Sequence, residues 1–424
     1  MNVALATLAH YFQLRIQMSQ WIITIYLLFA AIFLIPSGRI ADLNSRRDIY
    51  LVGVVCFFMG SWIAAVAGGV SILLLGRALQ GVGYGMTMAL IPVLATQYFP
   101  DQQKGRALGV VAILSCLGLA VGPTLGGTIA QFLSWRVIFW MNLPICFLSI
   151  MIILFICPQE KIVEKPAFEP LRWPLIKALL INRAYRILVL NRFLILASYG
   201  VMLLIVPLFL QNIANESPLK TGCIMLAMTA AVVIASTGFG HLVDKKGYRV
   251  FHFRACVLFF MAYLFFIATF YWESISLLLL GLVCAGLSIG FYFVGSVRGA
   301  LQELPLVHQG LGMSIFYVSA LLGGVVCVSL ASQILHLNVD FEIHAWMLHM
   351  PQLHQYKFDD LQAVGTGIQS FNAQNWSASP TLSLATLHLM LMGLFRRGLL
   401  IIAFLGAGLT FSATLLARSA YHDH

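Results

Sequence analysis

One ten-residue pattern occurs twice in this chain. Gly38-Arg-Ile-Ala-Asp42-Leu-Asn-Ser45-Arg46-Arg47 returns as Gly240-His-Leu-Val-Asp244-Lys-Lys-Gly247-Tyr-Arg249, half a chain length further on. Each copy closes a long apolar run with a short basic turn. A repeat at that offset calls for two homologous halves, each threaded repeatedly through a bilayer.

Composition agrees. The 424 residues are 60% hydrophobic and only 9% charged, where a soluble domain carries about 25% charged residues. Apolar stretches of the roughly 20 residues that cross a bilayer recur from end to end. They predict helical spans near 1–14, 20–41, 49–67, 71–99, 105–131, 137–157, 190–212, 220–242, 250–271, 275–297, 309–335 and 396–417, helices because lipid offers the backbone no hydrogen-bond partner. The expected fold class is all-α integral membrane, with about twelve spans in two pseudo-symmetric six-helix halves. Residues 1–157 form the first half and 158–189 a polar cytoplasmic linker, with a short surface helix from Trp173 to Leu180. Residues 190–418 form the second half, with a long loop at 336–390 on the far side.

The net charge of +10 does not gather into a nucleic-acid-binding patch. One set of loops holds eighteen Lys and Arg, among them Arg39, Arg46, Arg47, Arg192, Arg254 and Arg298, and the other set only six, including Arg136, Arg396 and Arg397. The rich side is expected to be cytoplasmic, with both termini on it. The eight Cys lie in or at the ends of apolar runs without metal-ligand or disulfide spacing, and read as small core residues. His336, His344, His349 and His354 in the far-side loop lack the spacing of a helical metal site and read as interfacial polar residues. No metal and no cofactor is expected. An enzyme would gather His, Asp, Cys or Ser at a membrane face, and the spans show no such cluster.

Three stretches carry mechanism. In the repeated turn, Gly38 and Gly240 let a helix end pack closely on a neighbour. Asp42 and Asp244 suit a helix N-terminus, where an anion is worth about 0.3–1 kcal/mol. Arg46, Arg47 and Arg249 pair with the Asp or hold the loop at the headgroups. In Gly118-Leu-Ala-Val-Gly122-Pro123-Thr-Leu-Gly126-Gly127, glycines four apart share a helix face and Pro123 invites a bend. In the fourth span, Arg77 lies about 9 Å inside at 1.5 Å per residue. Arg77, Gln80, Tyr84 and Met88 fall on one helix face suited to a cavity.

Together these stretches resemble the major facilitator superfamily. The first turn is similar to its G-x-L-A-D-x-x-G-R-R loop signature, with Ser45 in place of a Gly. The Arg77 stretch resembles R-x-x-Q-G-x-G, and Gly118–Gly127 resembles G-x-x-x-G-P-x-x-G-G, which in that superfamily marks exporters working as antiporters. Asn2-Val-Ala-Leu-Ala-Thr-Leu-Ala, Trp21-Ile-Ile-Thr-Ile-Tyr26, Trp135-Arg136-Val-Ile-Phe139-Trp-Met-Asn142-Leu-Pro144 and Val206-Pro-Leu-Phe-Leu-Gln211 look like the EmrB/QacA branch of drug–proton antiporters. The resemblance implies export of small amphipathic or cationic molecules through a midplane cavity between rocking halves, driven by the proton gradient. It adds Tyr199, Met202, Phe291 and Tyr292 to the expected lining, and a periplasmic adaptor with an outer-membrane channel as partners.

The chain departs from the branch in three ways. It has twelve expected spans where many members have fourteen. It starts at Met1-Asn2, after the point where the family carries Asp-x-Thr, and its first apolar run is short. None of its fifteen acidic residues lies deep in an expected span. The expectation is that this polypeptide alone is a poor proton antiporter and that an upstream acid would restore coupling. The rival readings are a specific metabolite or siderophore exporter and a non-transporting truncated product.

Overall fold

The computed structural model describes residues 11–12, 21–97, 99–100, 103–111, 114–115, 118, 134–156, 173–214, 216–349 and 384–421. Among them there is no strand. The first half contains α1 (Trp21–Leu43), α2 (Arg46–Ala65), α3 (Val70–Met88) continued by α4 (Leu90–Gln97), and α5 (Val137–Trp140) leading into α6 (Asn142–Ile156). A short α7 (Trp173–Ile181) leads to the second half: α8 (Arg183–Asn212), α9 (Pro218–Lys246), α10 (Tyr248–Trp272), α11 (Ile275–Glu303), α12 (Gln309–His349) and α13 (Leu384–Tyr421). Nine helices among the described residues are long and apolar enough to cross a membrane. This is the major facilitator fold that the sequence implies.

Small residues set the packing of the first half. Gly81 and Gly85 on α3 meet the α1 backbone at Tyr26 and Ala30, whereas Gly76 and Gly83 meet α2 at Gly60, Gly53 and Phe57. A helix turns 100° per residue, so these positions divide between two faces, and α3 sits between α1 and α2 at backbone contact. The second half is built on larger side chains. Phe209, Phe259, Tyr263, Phe266, Phe270 and Phe395 are all buried in one core.

Helix ends are closed by side chains. Ser45 caps α2, accepting from the Asp48 amide at 3.2 Å. Its φ of −66° is ordinary backbone, so a Ser replaces the signature Gly without strain. The second copy of the turn keeps Gly247 at φ +81° ahead of α10, a left-handed conformation that a side chain would oppose. Arg136 donates to Ala67 O at 2.9 Å, just past the end of α2, and lies over Trp135. Arg396 donates to Phe270 O at 2.6 Å and to Tyr271 O at the end of α10, and pairs with Glu273.

Several expected boundaries move. α8 begins at Arg183 instead of near 190, and α12 runs on to His349 where a loop was expected from 336. α13 begins at Leu384, inside that expected loop. The short helix expected from Trp173 to Leu180 is α7. In α8 the N-cap Asn182, which accepts from the Tyr185 amide at 3.2 Å, starts the helix before the apolar run begins. The charged residues that looked like loop sit inside helices.

Candidate functional site

The first repeated turn is a latch between the two halves. The Asp42 carboxylate accepts from the amides of Gly310 at 2.7 Å and Leu311 at 2.8 Å. Those amides begin α12 and have no partner within the helix, so the carboxylate both caps the helix and meets its positive end. The Asp42 side chain is fully buried. Arg46, 3.7 Å from Asp42, crosses the same junction to donate to Leu306 O at 2.7 Å. Arg39 reaches His308 Nδ1 at 3.4 Å. Gly38 and Gly310 face each other, and a Cβ on either would collide with the other's carbonyl oxygen. Charge-assisted hydrogen bonds of this kind are worth about 1.5–3 kcal/mol each.

Arg47 does a different job from Arg46. It donates to Ile153 O at 3.3 Å and Leu154 O at 3.2 Å, tying α2 to the C-terminal turns of α6 within the first half. In the second copy, Arg249 lies against the Tyr248 ring, while the surroundings of Gly240 and the side chain of Asp244 lie outside the described residues. Gly118 is described, but Gly122, Pro123, Gly126 and Gly127 are not, so the expected seam of the fifth span lies outside the described residues. So do the side chains of His336 and His349, and all of His354.

Arg77 and Gln80 are together, joined in a buried relay. Both are buried. Arg77 donates from Nε to Ile22 O at 3.0 Å and from Nη1 to Gln80 Oε1 at 2.6 Å, and its guanidinium lies 4.3 Å from the Tyr26 ring centre. Gln80 passes the chain on to Ser61 Oγ at 2.7 Å, and Ser61 donates to Phe57 O at 2.8 Å. The relay joins α1, α2 and α3, so each member has a partner.

Tyr84 and Met88, further along the same face, are half-buried. The Tyr84 ring lies 5.6 Å from that of Tyr26 and tilted 52° to it, and Met88 packs on an apolar cluster shared by both halves. That cluster joins Leu34, Ala89 and Val93 to Phe251, Val294, Phe316 and Tyr317. Phe291 also packs on it. Met202 is buried in the core of the second half, with Tyr199 against it. Tyr292 is buried beside Arg192. The expected lining therefore separates into a relay near one end, a group between the halves, and three residues in the core of the second half.

Arg192 is the residue misread as a loop cation. It lies nine residues into α8, about 13 Å from its start at 1.5 Å per residue. It is 4% exposed. Its guanidinium lies 4.8–5.7 Å from the ring centres of Phe316, Tyr317, Phe293 and Tyr292. Nη1 donates to Ser296 Oγ at 3.3 Å, and Nε makes no hydrogen bond among the described residues. Each ring contributes about 0.5–2 kcal/mol to a desolvated cation. Tyr84 of the first half is within electrostatic range. His252, fully buried on α10 with its ring 5.1 Å from that of Tyr292, was also missed. The signal available was the polar pair Asn191-Arg192 between two apolar runs, which fits a loop equally well when helix starts are read from hydropathy.

A two-halved helical fold latched across its junction defines a membrane carrier. The major facilitator superfamily model matches residues 1–328, and the chain belongs to that superfamily, a family of transporters and not of enzymes. The multidrug resistance protein Stp of Mycobacterium tuberculosis is 26% identical over 387 residues, spanning 79% of this chain and 72% of that protein. The riboflavin transporter RibZ of Clostridioides difficile is 25% identical over 399 residues, spanning 81% of this chain and 86% of that one. The multidrug transporter protein MdtP of Bacillus subtilis is 25% identical over 290 residues, spanning 55% and 53%. The fold is shared with the human organic anion transporter MFSD10 (TM-score 0.65, 14% identity, 97% of this chain and 88% of that one). It is shared equally with a bacterial homologue of the iron transporter ferroportin (TM-score 0.65, 14% identity, 99% and 95%).

Proposed function

We propose that this transporter exports small amphipathic, drug-like molecules across the cell (inner) membrane by alternating access, driven by the proton gradient. The basic face is cytoplasmic in this reading, and both termini lie on it. The observation that carries it is the Asp42 carboxylate on the α12 amides of Gly310 and Leu311. A bond set between the halves at one end, made wholly of groups that water can satisfy when it opens, is a reversible gate. The gate is shut here, so the cytoplasmic entrance is closed. The names of Stp and MdtP support the drug-like substrate, and the fifth-span signature supports export. A periplasmic adaptor and outer-membrane channel would complete the route in a two-membrane cell. The RibZ likeness favours a second reading, a specific flat metabolite as substrate.

Asp42→Asn keeps an acceptor but removes the charge. Substrate uptake into inside-out vesicles under an imposed pH gradient, the measure of efflux activity, is expected to fall about tenfold, equivalent to about 1.4 kcal/mol. Substrate affinity is expected to hold or to tighten, as the open state gains population. Equal loss of affinity and efflux would mean that the turn belongs to the binding site and not to the gate. Efflux that ignores the pH gradient would remove the proton from the scheme.

A further inference from the structure

Arg192 is a cation buried within the helix bundle that no carboxylate pairs with among the described residues. Three helix ends place it. It is nine residues from the start of α8, its partner Ser296 is seven from the end of α11, and Phe316 is seven from the start of α12, so each is about 10–13 Å from its helix end. The polar groups around it carry no negative charge: His252 on α10, Tyr292 and Ser296 on α11, Tyr317 on α12 and Tyr84 on α3. Arg77 differs, since its guanidinium is engaged by Ile22 O and Gln80.

Two of the four rings over Arg192 belong to the gate helix. Phe316 and Tyr317 lie about 10 Å along α12 from the amides that Asp42 holds. Release of the latch parts the second half, Arg192 and its four rings together, from the first half. That uncovers Arg192 on the side nearest Tyr84 of α3. Water alone is a poor substitute in a site still walled by Tyr292 and Phe293, whereas a carboxylate fits the guanidinium fork with two parallel bonds.

We infer that Arg192 and the rings around it form the recognition subsite for a small organic anion, a carboxylate on a flat apolar body. Tyr84 of the first half closes that subsite when the gate is shut. The inference rests on the reading of the latch as a gate, and it narrows the substrate from amphipathic molecules in general to anionic ones. A cationic drug would meet Arg192 without a counter-charge.

The test is binding of radiolabelled naphthoate and its neutral isostere naphthamide to the full chain in phosphatidylcholine nanodiscs. Naphthoate is expected to bind about tenfold more tightly than naphthamide, and Arg192→Gln to abolish that preference. Arg192→Lys should keep part of it. Phe316→Leu acts with the opposite sign. With less aromatic cover competing for the guanidinium, naphthoate should bind about threefold more tightly, which a misfolded protein cannot mimic. An unchanged preference in Arg192→Gln, or weaker naphthoate binding in Phe316→Leu, overturns the assignment. Loss of naphthoate binding when phosphatidylglycerol is added would give the site to a lipid headgroup and overturn the small-molecule assignment. Arg192-dependent naphthoate binding without any efflux in vesicles supports the subsite and counts against the exporter reading. Efflux of lipophilic cations with no Arg192-dependent binding does the reverse.

Discussion

Single residues in this protein act through the ends of helices other than their own. The placing of Asp42 at a helix N-terminus was legible from its turn, but the identity of that helix was not, because α12 begins more than half the chain away. Arg46 and Arg47 are adjacent and alike in sequence. One crosses between the halves and the other ties α2 to α6, a distinction that depends on which side of α2 each residue leaves. The Arg77 face was read as a cavity wall because its polar residues fall at helical spacing, and the same spacing serves a closed relay. Gln80→Leu leaves Arg77 Nη1 and Ser61 Oγ without Gln80 as partner in a buried site. A loss of about 1–3 kcal/mol is expected, seen as a lower melting temperature in detergent. Ser61→Ala takes the acceptor from Gln80 Nε2 but keeps the Arg77–Gln80 bond, and should cost less. If the two variants melt together with wild type, the relay is not a structural brace.

At the scale of elements, what the sequence showed well was the apolar runs, and what it showed poorly was where helices start and stop. Hydropathy marks lipid contact, while helix ends are set by caps such as Asn182 and Ser45. That is why α8 gained a polar first third and Arg192 went inside. The α3 glycines were noticed as a motif, yet their division between α1 and α2 appears only when three helices are packed. Gly83 lies against α2, where a Cβ would come within 2.5 Å of Gly53 O and the Phe57 amide. Gly83→Val is expected to destabilise by about 1–3 kcal/mol through overpacking. Gly408, on α13, has no described atom within 4 Å of a Cβ. Gly408→Ala should be neutral or stabilising by up to about 1 kcal/mol. Thermal unfolding of both variants checks the contrast, and similar melting temperatures would show that the seam has room.

The whole molecule is two halves held together at one end. Its internal repeat was legible from one motif found twice. Its state, latched at the basic face, was not, because a sequence describes both states of a carrier equally. The balance between them is open to measurement. In a background without native cysteines, Leu311→Cys should react slowly with a membrane-impermeant maleimide, since Leu311 is fully buried under the latch. Adding Asp42→Asn should speed the reaction about tenfold by shifting the population towards the open state. Equal rates would mean that Asp42 does not hold the gate.

The helix that Asp42 holds is one uninterrupted rod. α12 has 41 residues, about 61 Å at 1.5 Å per residue and twice the thickness of a bilayer core. It touches α8 at backbone distance where Gly323 meets Phe193, about 21 Å from its latched end and 39 Å from the other. Beyond that contact, Cys327, Ala331, Leu335, Val339 and Ile343 are buried in the core of the second half. A pull at the latch therefore reaches that core through one continuous helix.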